Sequence, residues 1–398
     1  MKKVVFIDHE CGSSGSTISL KYIIAYFIQA GISVSVITPK PPKLQKIFSD
    51  LGAACFPVEN SKYEPLFLDL HFSSGLSFFS KSGLRAVKKQ FFSMISGISL
   101  VHKMLRTVKP DLIYINEYVS IHAGIAAKLL RIPVVMHVRS LYAAGTLGIR
   151  AFFLRKTAKY ICNAIIAITG IEAGQFKNIS AKKINIIGEF LDESNFAEAS
   201  DVRPLRHNFH IIDNSPVVVM LGGIIDFKGT YPFLQAAEIV LSKKTDIVFI
   251  IAGLEAGPEE FIMQCKSFPS SHNLQKNIFF LNVIPNPIDL LSIADILVSP
   301  TLLTHFSRPV IEAWALKKAV IATETLHSKN LISHGENGFL IKIGDTVALA
   351  QAVEILLNDP DLRRKLGEAG HAKARKEFDS VKNTGRIFEI CQSASTST

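Results

Sequence analysis

Two doubly wound α/β domains in tandem, each Rossmann-like in pattern, are predicted by three features of this 398-residue sequence. Short Val/Ile-rich runs alternate with longer amphipathic ones along the whole chain, the pattern of parallel strands and their crossover helices. That alternation occurs once in each half, and the length exceeds one ordinary core. A polar stretch, "LDESNFAEASDVRPLRHNFHIIDNS" at residues 191 to 215, separates the halves. In sheets of this kind ligands gather at the carboxyl ends of the strands, and a cleft between two domains is the expected site.

In order, the first half reads "KVVFID" as a strand, "STISLKYIIAYFIQAG" as a helix and "SVSVITP" as a strand, followed later by "LIYIN", "AGIAAKLLRI", "PVVMHV" and "AIIAIT". The second half reads "PVVVMLGG", "TYPFLQAAEIVLSKK", "IVFIIAG", "NIFFLN", "PIDLLSIAD", "ILVSP", "AVIAT", "GFLI" and "TVALAQAVEILLN". We place a first domain at residues 1–195, a second at 196–376, and at 377–398 a crossover helix ending in a disordered Ser/Thr tail.

Composition narrows the function. With 48% apolar and 20% charged residues the chain is globular. No run reaches the ~18 apolar residues of a membrane span, and "MKKVVFIDHE" has too short an apolar core for a signal peptide. A cytoplasmic protein is expected, peripheral to the inner face of the membrane if it binds lipid. The five cysteines form no C-x-x-C, so neither a disulfide framework nor a zinc site is expected. Charge is uneven: residues 1–195 hold 24 Lys and Arg against 12 Asp and Glu, whereas residues 196–398 hold 20 against 22. A basic half beside a neutral one points to an anionic partner that meets the first domain.

Several short motifs could carry chemistry. "CGSSGS", directly after the first strand, sets Gly12 and Gly15 at a helix start, compatible with a ligand loop and with a plain tight turn. It lacks the dinucleotide G-x-G-x-x-G, which argues against an oxidoreductase. "LGGIIDFKG" places Gly222 and Gly223 at a strand end and Lys228 before Gly229 and a helix, where a cation is disfavoured by the helix dipole but could neutralise a diphosphate. In "FSRPVIEAWALKKAVIA" Pro309 suits the first helical position, which makes Glu312 the fourth. A carboxylate there is tolerated by the dipole, and could equally accept two hydrogen bonds from a vicinal diol. His137 and Arg139 sit at a strand end where site residues belong. The stretch Lys81 to Lys109 holds seven Lys/Arg and no acid, with Leu84, Val87, Phe91, Phe92, Met94 and Ile95 among them. It fits an anionic membrane surface and also a helix packed on the sheet with a wet basic face. No nucleic-acid module appears.

Taken in order, these pieces resemble the retaining glycosyltransferases of family 4, which have the GT-B fold. The resemblance covers nearly the whole chain: "CGSSGS", "KPDLIYIN", "IPVVMHVRS" and "INIIGEFLDESNF", then more specifically "VVVMLGGIIDFKGTYPFLQAA", "IIAG", "NIFFLNVIPNPIDLLSIADILVSP", "HFSRPVIEAWALKKAVIAT" and "ISHGENGFLI". It implies a nucleotide-sugar donor bound by the second half and a cell-envelope glycan or glycolipid acceptor bound by the first, with Gly12, Gly15, His137 and Arg139 on the acceptor side. Lys228 matches the lysine that clamps the donor diphosphate, and Glu312 the second glutamate of an E-x7-E motif that holds the ribose. Gly222, Gly223 and Gly253 line the donor site, and Val283 and Ile284 fall where the base is held. Phe306, Ser307, Arg308 and Pro309 match a loop that turns backbone N–H groups to the phosphates.

Three departures accompany the match. Gly223 stands where the family has an arginine, Thr304 where it has the first glutamate of the motif, and "TETLHSKNLI" lacks the usual glycine pair. Arg308 or Arg139 is expected to supply the missing charge, so that Lys228, Glu312 and Arg139 are the expected catalytic set. No cofactor is expected beyond the sugar nucleotide, and with no Asp-x-Asp motif no metal. The alternatives are a catalytically silent nucleotide-sugar-binding scaffold and another GT-B activity such as a nucleotide-sugar epimerase.

Overall fold

The computed structural model describes residues 1–9, 15–39, 42–58, 81–142, 144, 148–192, 203–208, 211, 215–284 and 286–396. Gly12 lies outside them, as do most of the polar stretch between the halves and the side chains of Leu84 and Val87. Packing divides the chain into one unit of Met1–Phe190 with Ser380–Thr398 and another of Leu191–Asp379.

In the first unit seven parallel strands, β1 (Lys3–Ile7), β2 (Ser33–Pro39), β3 (Ala54–Val58), β4 (Leu112–Asn116), β5 (Val134–Val138), β6 (Ala164–Ala167) and β7 (Ile184–Ile186), lie in the order β3-β2-β1-β4-β5-β6-β7. β4 and β5 are buried at every position, which is why their sequences are apolar without alternation. On one face Val5, Ile7, Ile113, Ile115, Val134 and Met136 pack against helices Lys81–Val108, Ile121–Leu129 and Ile149–Ile161. On the other, Val4, Phe6, Leu112, Tyr114 and Val135 meet helix Gly15–Gln29 and the last helix, Ser380–Thr396.

That last helix differs from the expectation. The chain forms helix Pro360–Glu377 in the second unit, crosses at Asp379, and stays helical through most of the Ser/Thr end. Burial of Ile387, Cys391 and Ala394 against Leu20, Ile23 and Phe27 is the reason: a stripe at helical spacing orders residues that composition alone leaves as a tail. The two crossings run side by side, Leu191 N donating to Phe378 O at 2.6 Å.

The second unit repeats the topology with β8 (Val217–Leu221), β9 (Val248–Ala252), β10 (Ile278–Leu281), β11 (Ile296–Ser299), β12 (Ala319–Thr323) and β13 (Phe339–Ile341), in the order β10-β9-β8-β11-β12-β13. In each sheet the winding reverses once, between β1 and β4 and between β8 and β11, and the carboxyl ends of those pairs open the crevice where ligands of such folds bind. No helix among the described residues is long and apolar enough to cross a membrane.

Truncating Ile387 to Ala empties a fully buried site between two helices and a sheet, and is expected to cost about 2–5 kcal/mol. Urea denaturation should show the loss as a lower midpoint. An unchanged midpoint would mean that the last helix contributes nothing to the first unit.

Candidate functional site

In the second unit the carboxyl ends of β8, β9 and β11 are laced together by backbone. Gly222 N and Gly223 N both donate to Ala252 O at 2.9 Å, and Gly253 N donates to Leu281 O at 3.1 Å. Gly223 has φ +74, and a Cβ there would lie 1.9 Å from Leu254 O. Gly229 has φ +79, and its Cβ would lie 2.0 Å from Pro300 O. Only glycine fits either place. Between them the short 3-10 turn Asp226–Lys228 is pinned to the loop after β11, since Leu302 N donates to Phe227 O at 2.8 Å and Thr301 Oγ1 to the same oxygen at 3.1 Å.

This lacing lays the stem of Lys228 over Gly222 and takes its ammonium out of water. Burial pushes the Lys228 pKa down to about 8. Its Nζ donates to Nε2 of His305, a ring whose own pKa is pushed down to about 3 by burial first and then by the Lys228 charge. A neutral His305 that accepts at Nε2 carries its proton on Nδ1, a buried nitrogen with no partner.

The helix after this loop begins at Arg308, one residue earlier than expected, because Ser307 takes the cap position. Pro309 is therefore second and Glu312 fifth. Ser307 gives the helix no side-chain cap, its hydroxyl meeting that of Ser299 at 2.9 Å, so the helix N-terminus keeps its affinity for an anion. Glu312 is buried and accepts from Arg308 Nε at 2.8 Å, one turn back on the same helix. Phe306 sets its ring edge-on to His327 and Phe378. Thr304 is half-buried in the same loop. Farther along the carboxyl edge, beyond β10, Val283 is 52% exposed while Ile284 packs on the core.

In the first unit, the strand ends carry a polar network that the sequence revealed only in part. Arg139 pairs with Glu189, donates from Nε to Asn116 Oδ1 at 3.1 Å, and donates from Nη2 to His137 Nδ1 at 3.2 Å. Asn116 Nδ2 donates to Asp8 Oδ1 at 3.1 Å. Tyr114 also bonds His137 Nδ1, so the imidazole proton sits on the buried, unpartnered Nε2. Burial, helped by the Arg139 charge, holds the His137 pKa well below its ordinary value. The guanidinium of Arg139 is thus already matched by a carboxylate of its own unit. Gly15 is the exposed first residue of helix Gly15–Gln29.

Glu117, which no motif marked, is the most constrained member. Its φ of 87° and ψ of 143° are costly for a side chain other than glycine, roughly 1–3 kcal/mol. Its carboxylate accepts from Tyr118 N at 2.9 Å, and from Arg139 N and Ser140 Oγ at 3.1 Å each. Burial outweighs these bonds and pushes its pKa up to about 7. The available signal was the "NE" pair that closes the fully apolar strand "LIYI", since polar residues there lie at the carboxyl end of a parallel strand.

The chain is matched over residues 13–195 by a family model described as Glycosyltransferase Family 4 and over residues 202–373 by one described as Glycosyl transferases group 1. It is 27% identical over 272 residues to the capsular polysaccharide biosynthesis glycosyltransferase CapM of Staphylococcus aureus, covering 66% of this chain and 70% of that protein. It is 23% identical over 312 residues to the N,N'-diacetylbacillosaminyl-diphospho-undecaprenol alpha-1,3-N-acetylgalactosaminyltransferase of Campylobacter jejuni, covering 72% and 80%. Matches to two further bacterial relatives span 42% and 51% of those proteins. In fold it is similar to Anabaena Alr3699/HepE, solved in complex with UDP-glucose, with a TM-score of 0.80 at 18% identity over 99% of this chain and 100% of that one.

Because Gly223 is fixed by its backbone and by the contact with Leu254, the substitution Gly223→Arg should not act as a restored cation. It is expected to destabilise the second unit by about 2 kcal/mol or more, read as a lower melting temperature, without tightening nucleotide-sugar binding. Tighter binding at unchanged stability would show that the loop can re-form around a side chain.

Proposed function

The chain belongs to the glycosyltransferases, family 4 in its first half and group 1 in its second, and from that premise we propose that it moves a sugar from a nucleoside diphosphate sugar to a glycan or lipid-linked acceptor of the cell envelope, with retention and without a metal. The observation that carries this reading is the desolvated Lys228 ammonium, set at the same sheet crevice as the uncapped helix N-terminus at Ser307 and the buried Glu312. Departure of a nucleoside diphosphate is limited by the charge it develops. A fixed cation and backbone N–H groups in a dry site stabilise that charge most where they need no reorganisation. Glu312 spends one bond on Arg308 and retains acceptor capacity for the ribose hydroxyls. Arg308 lies beside the phosphate loop and is the nearer substitute for the arginine replaced by Gly223, whereas Arg139 acts in the first unit with His137 on the acceptor side.

The names of the relatives support the acceptor class: one belongs to capsular polysaccharide synthesis and another is named for an undecaprenol-linked sugar. An acceptor of the second kind sits at a bilayer, and residues 81–109 supply a basic, aromatic surface suited to an anionic one. A second reading, a silent nucleotide-sugar-binding protein, is favoured by Thr304 and by the engagement of both candidate arginines with carboxylates. An epimerase would consume donor with no acceptor present.

Thermal melts against a panel of nucleotide sugars should give a selective shift with one donor, and transfer assays with that donor should give product. Lys228→Ala is expected to lower kcat/KM by roughly 100- to 1,000-fold and Glu312→Ala to weaken donor binding roughly tenfold or more. Unchanged transfer in both variants overturns the reading; a donor shift with no product from any acceptor selects the silent protein.

The lysine also fixes a pH dependence. A diphosphate favours the ammonium, so binding raises the Lys228 pKa above its free value of about 8. Donor affinity is then full below pH 8 and falls as pH rises through and above it, by up to about tenfold per unit. Lys228→Met should flatten that profile, and a wild-type profile flat to pH 9.5 would remove the lysine from the diphosphate.

A further inference from the structure

The helix Ile149–Ile161 carries a surface that neither the fold nor the proposed reaction uses. Its inner face is complete: Ala151, Leu154, Ala158 and Ile161 are buried at the spacing of a helix lying on a sheet. Yet the outer face is not polar. Phe152 is 51% exposed, Phe153 63% and Tyr160 73%, with Ile149 beside them at the helix start. The rings of Phe152 and Phe153 meet edge-on with centroids 5.7 Å apart. Cations stand over this face: Lys156 Nζ lies 5.6 Å from the Phe152 ring, and Lys128 Nζ 5.6 Å from the Tyr160 ring. From Tyr118 to Ile171 the sequence has seven Lys and Arg and no Asp or Glu.

The same side of the sheet bears a second such face. Helix Lys81–Val108 and helix Ile149–Ile161 contribute to one core, with Ile121–Leu129 between them. On the first of these Phe91 and Phe92 form another exposed edge-on pair, with Lys88 Nζ 5.9 Å from the Phe92 ring. Both helices lead into parallel strands and so run antiparallel to them. Counted back at 1.5 Å per residue, Phe152 stands about 14 Å above the end of its helix and Phe92 about 24 Å above the end of its own, at or beyond the carboxyl ends of the strands that follow, β6 of four residues and β4 of five. That is the end of the sheet which carries His137 and Arg139.

The structure assigns to this helical layer the docking of an anionic bilayer, with Phe152 and Phe153 as the inserting pair and Lys156 and Lys159 on headgroup phosphates. Aromatic rings beside basic side chains, with no acid among them, match the boundary between acyl chains and anionic headgroups. Charge complementarity selects a bilayer over a second copy of the chain, whose same surface is equally basic. The assignment rests on the reading that the acceptor is lipid-linked, and it adds that Ile149–Ile161 shares the docking with residues 81–109.

Co-sedimentation of the full chain with phosphatidylcholine vesicles, with and without phosphatidylglycerol, tests it. Binding should require phosphatidylglycerol, weaken with salt, and fall roughly tenfold or more in Phe152→Ser/Phe153→Ser, with the donor-induced melting shift unchanged. Should that variant misfold, Lys156→Ala/Lys159→Ala decides by the same loss. Binding equal to wild type in a folded variant, equal binding to neutral vesicles, no binding by the wild type, or self-association that the Phe pair abolishes would each overturn the assignment. Absence of any donor shift would instead sink the transferase reading and leave the vesicle result to stand by itself.

Discussion

A parallel sheet cannot leave either face wet, because its crossovers place helices over both and its strands are apolar on both. Much of this molecule follows from that constraint. Each unit is a sheet between two helical layers, and each sheet reverses its winding once, which opens a crevice at the carboxyl ends of β1 and β4 and of β8 and β11. The first unit needs a further helix on the side of Phe6 and Tyr114, and the chain returns with Ser380–Thr396 to supply it. The Ser/Thr-rich end is ordered by this demand and not by its own propensity.

The same dryness governs the charges at the two crevices. In the second unit a lysine loses its hydration because two glycines allow backbone to close against backbone around it, and the result is an ammonium more easily deprotonated than an exposed one. A neutral imidazole, His305, is its resting partner, where a carboxylate would hold it as a salt bridge. In the first unit, by contrast, the cation is matched: Arg139 faces Glu189, and Glu117 clasps the backbone of the following loop from a strained conformation. One crevice rests its cation on a neutral ring, while the other matches its cation with a carboxylate of the same unit.

The departures from the family pattern take on a definite meaning in this setting. Gly223 is not a lost arginine in an otherwise unaltered loop, since its positive φ and its contact with Leu254 make the loop one that glycine alone can form. Arg308, one turn before Glu312 on the same helix, ties the ribose-binding candidate to the start of that helix through an ion pair.

The sequence by itself determined the two α/β domains, most of the strands and the positions of Lys228, Glu312, His137 and Arg139, because buried parallel strands are written as apolar runs and the loops that end them as glycines and polar residues. Edge strands β3 and β7 stood out least, since half-exposed strands carry only half the apolar signal. Only the tertiary structure decided what those residues meet. The pairing of Lys228 with His305, of Arg139 with Glu189 some 50 positions away, and of Glu117 with the loop after β5 joins residues with no common period or motif. Such pairs are fixed by strand order and by desolvation at the crevice, which are properties of the packed sheet and are not encoded in any local window of the chain.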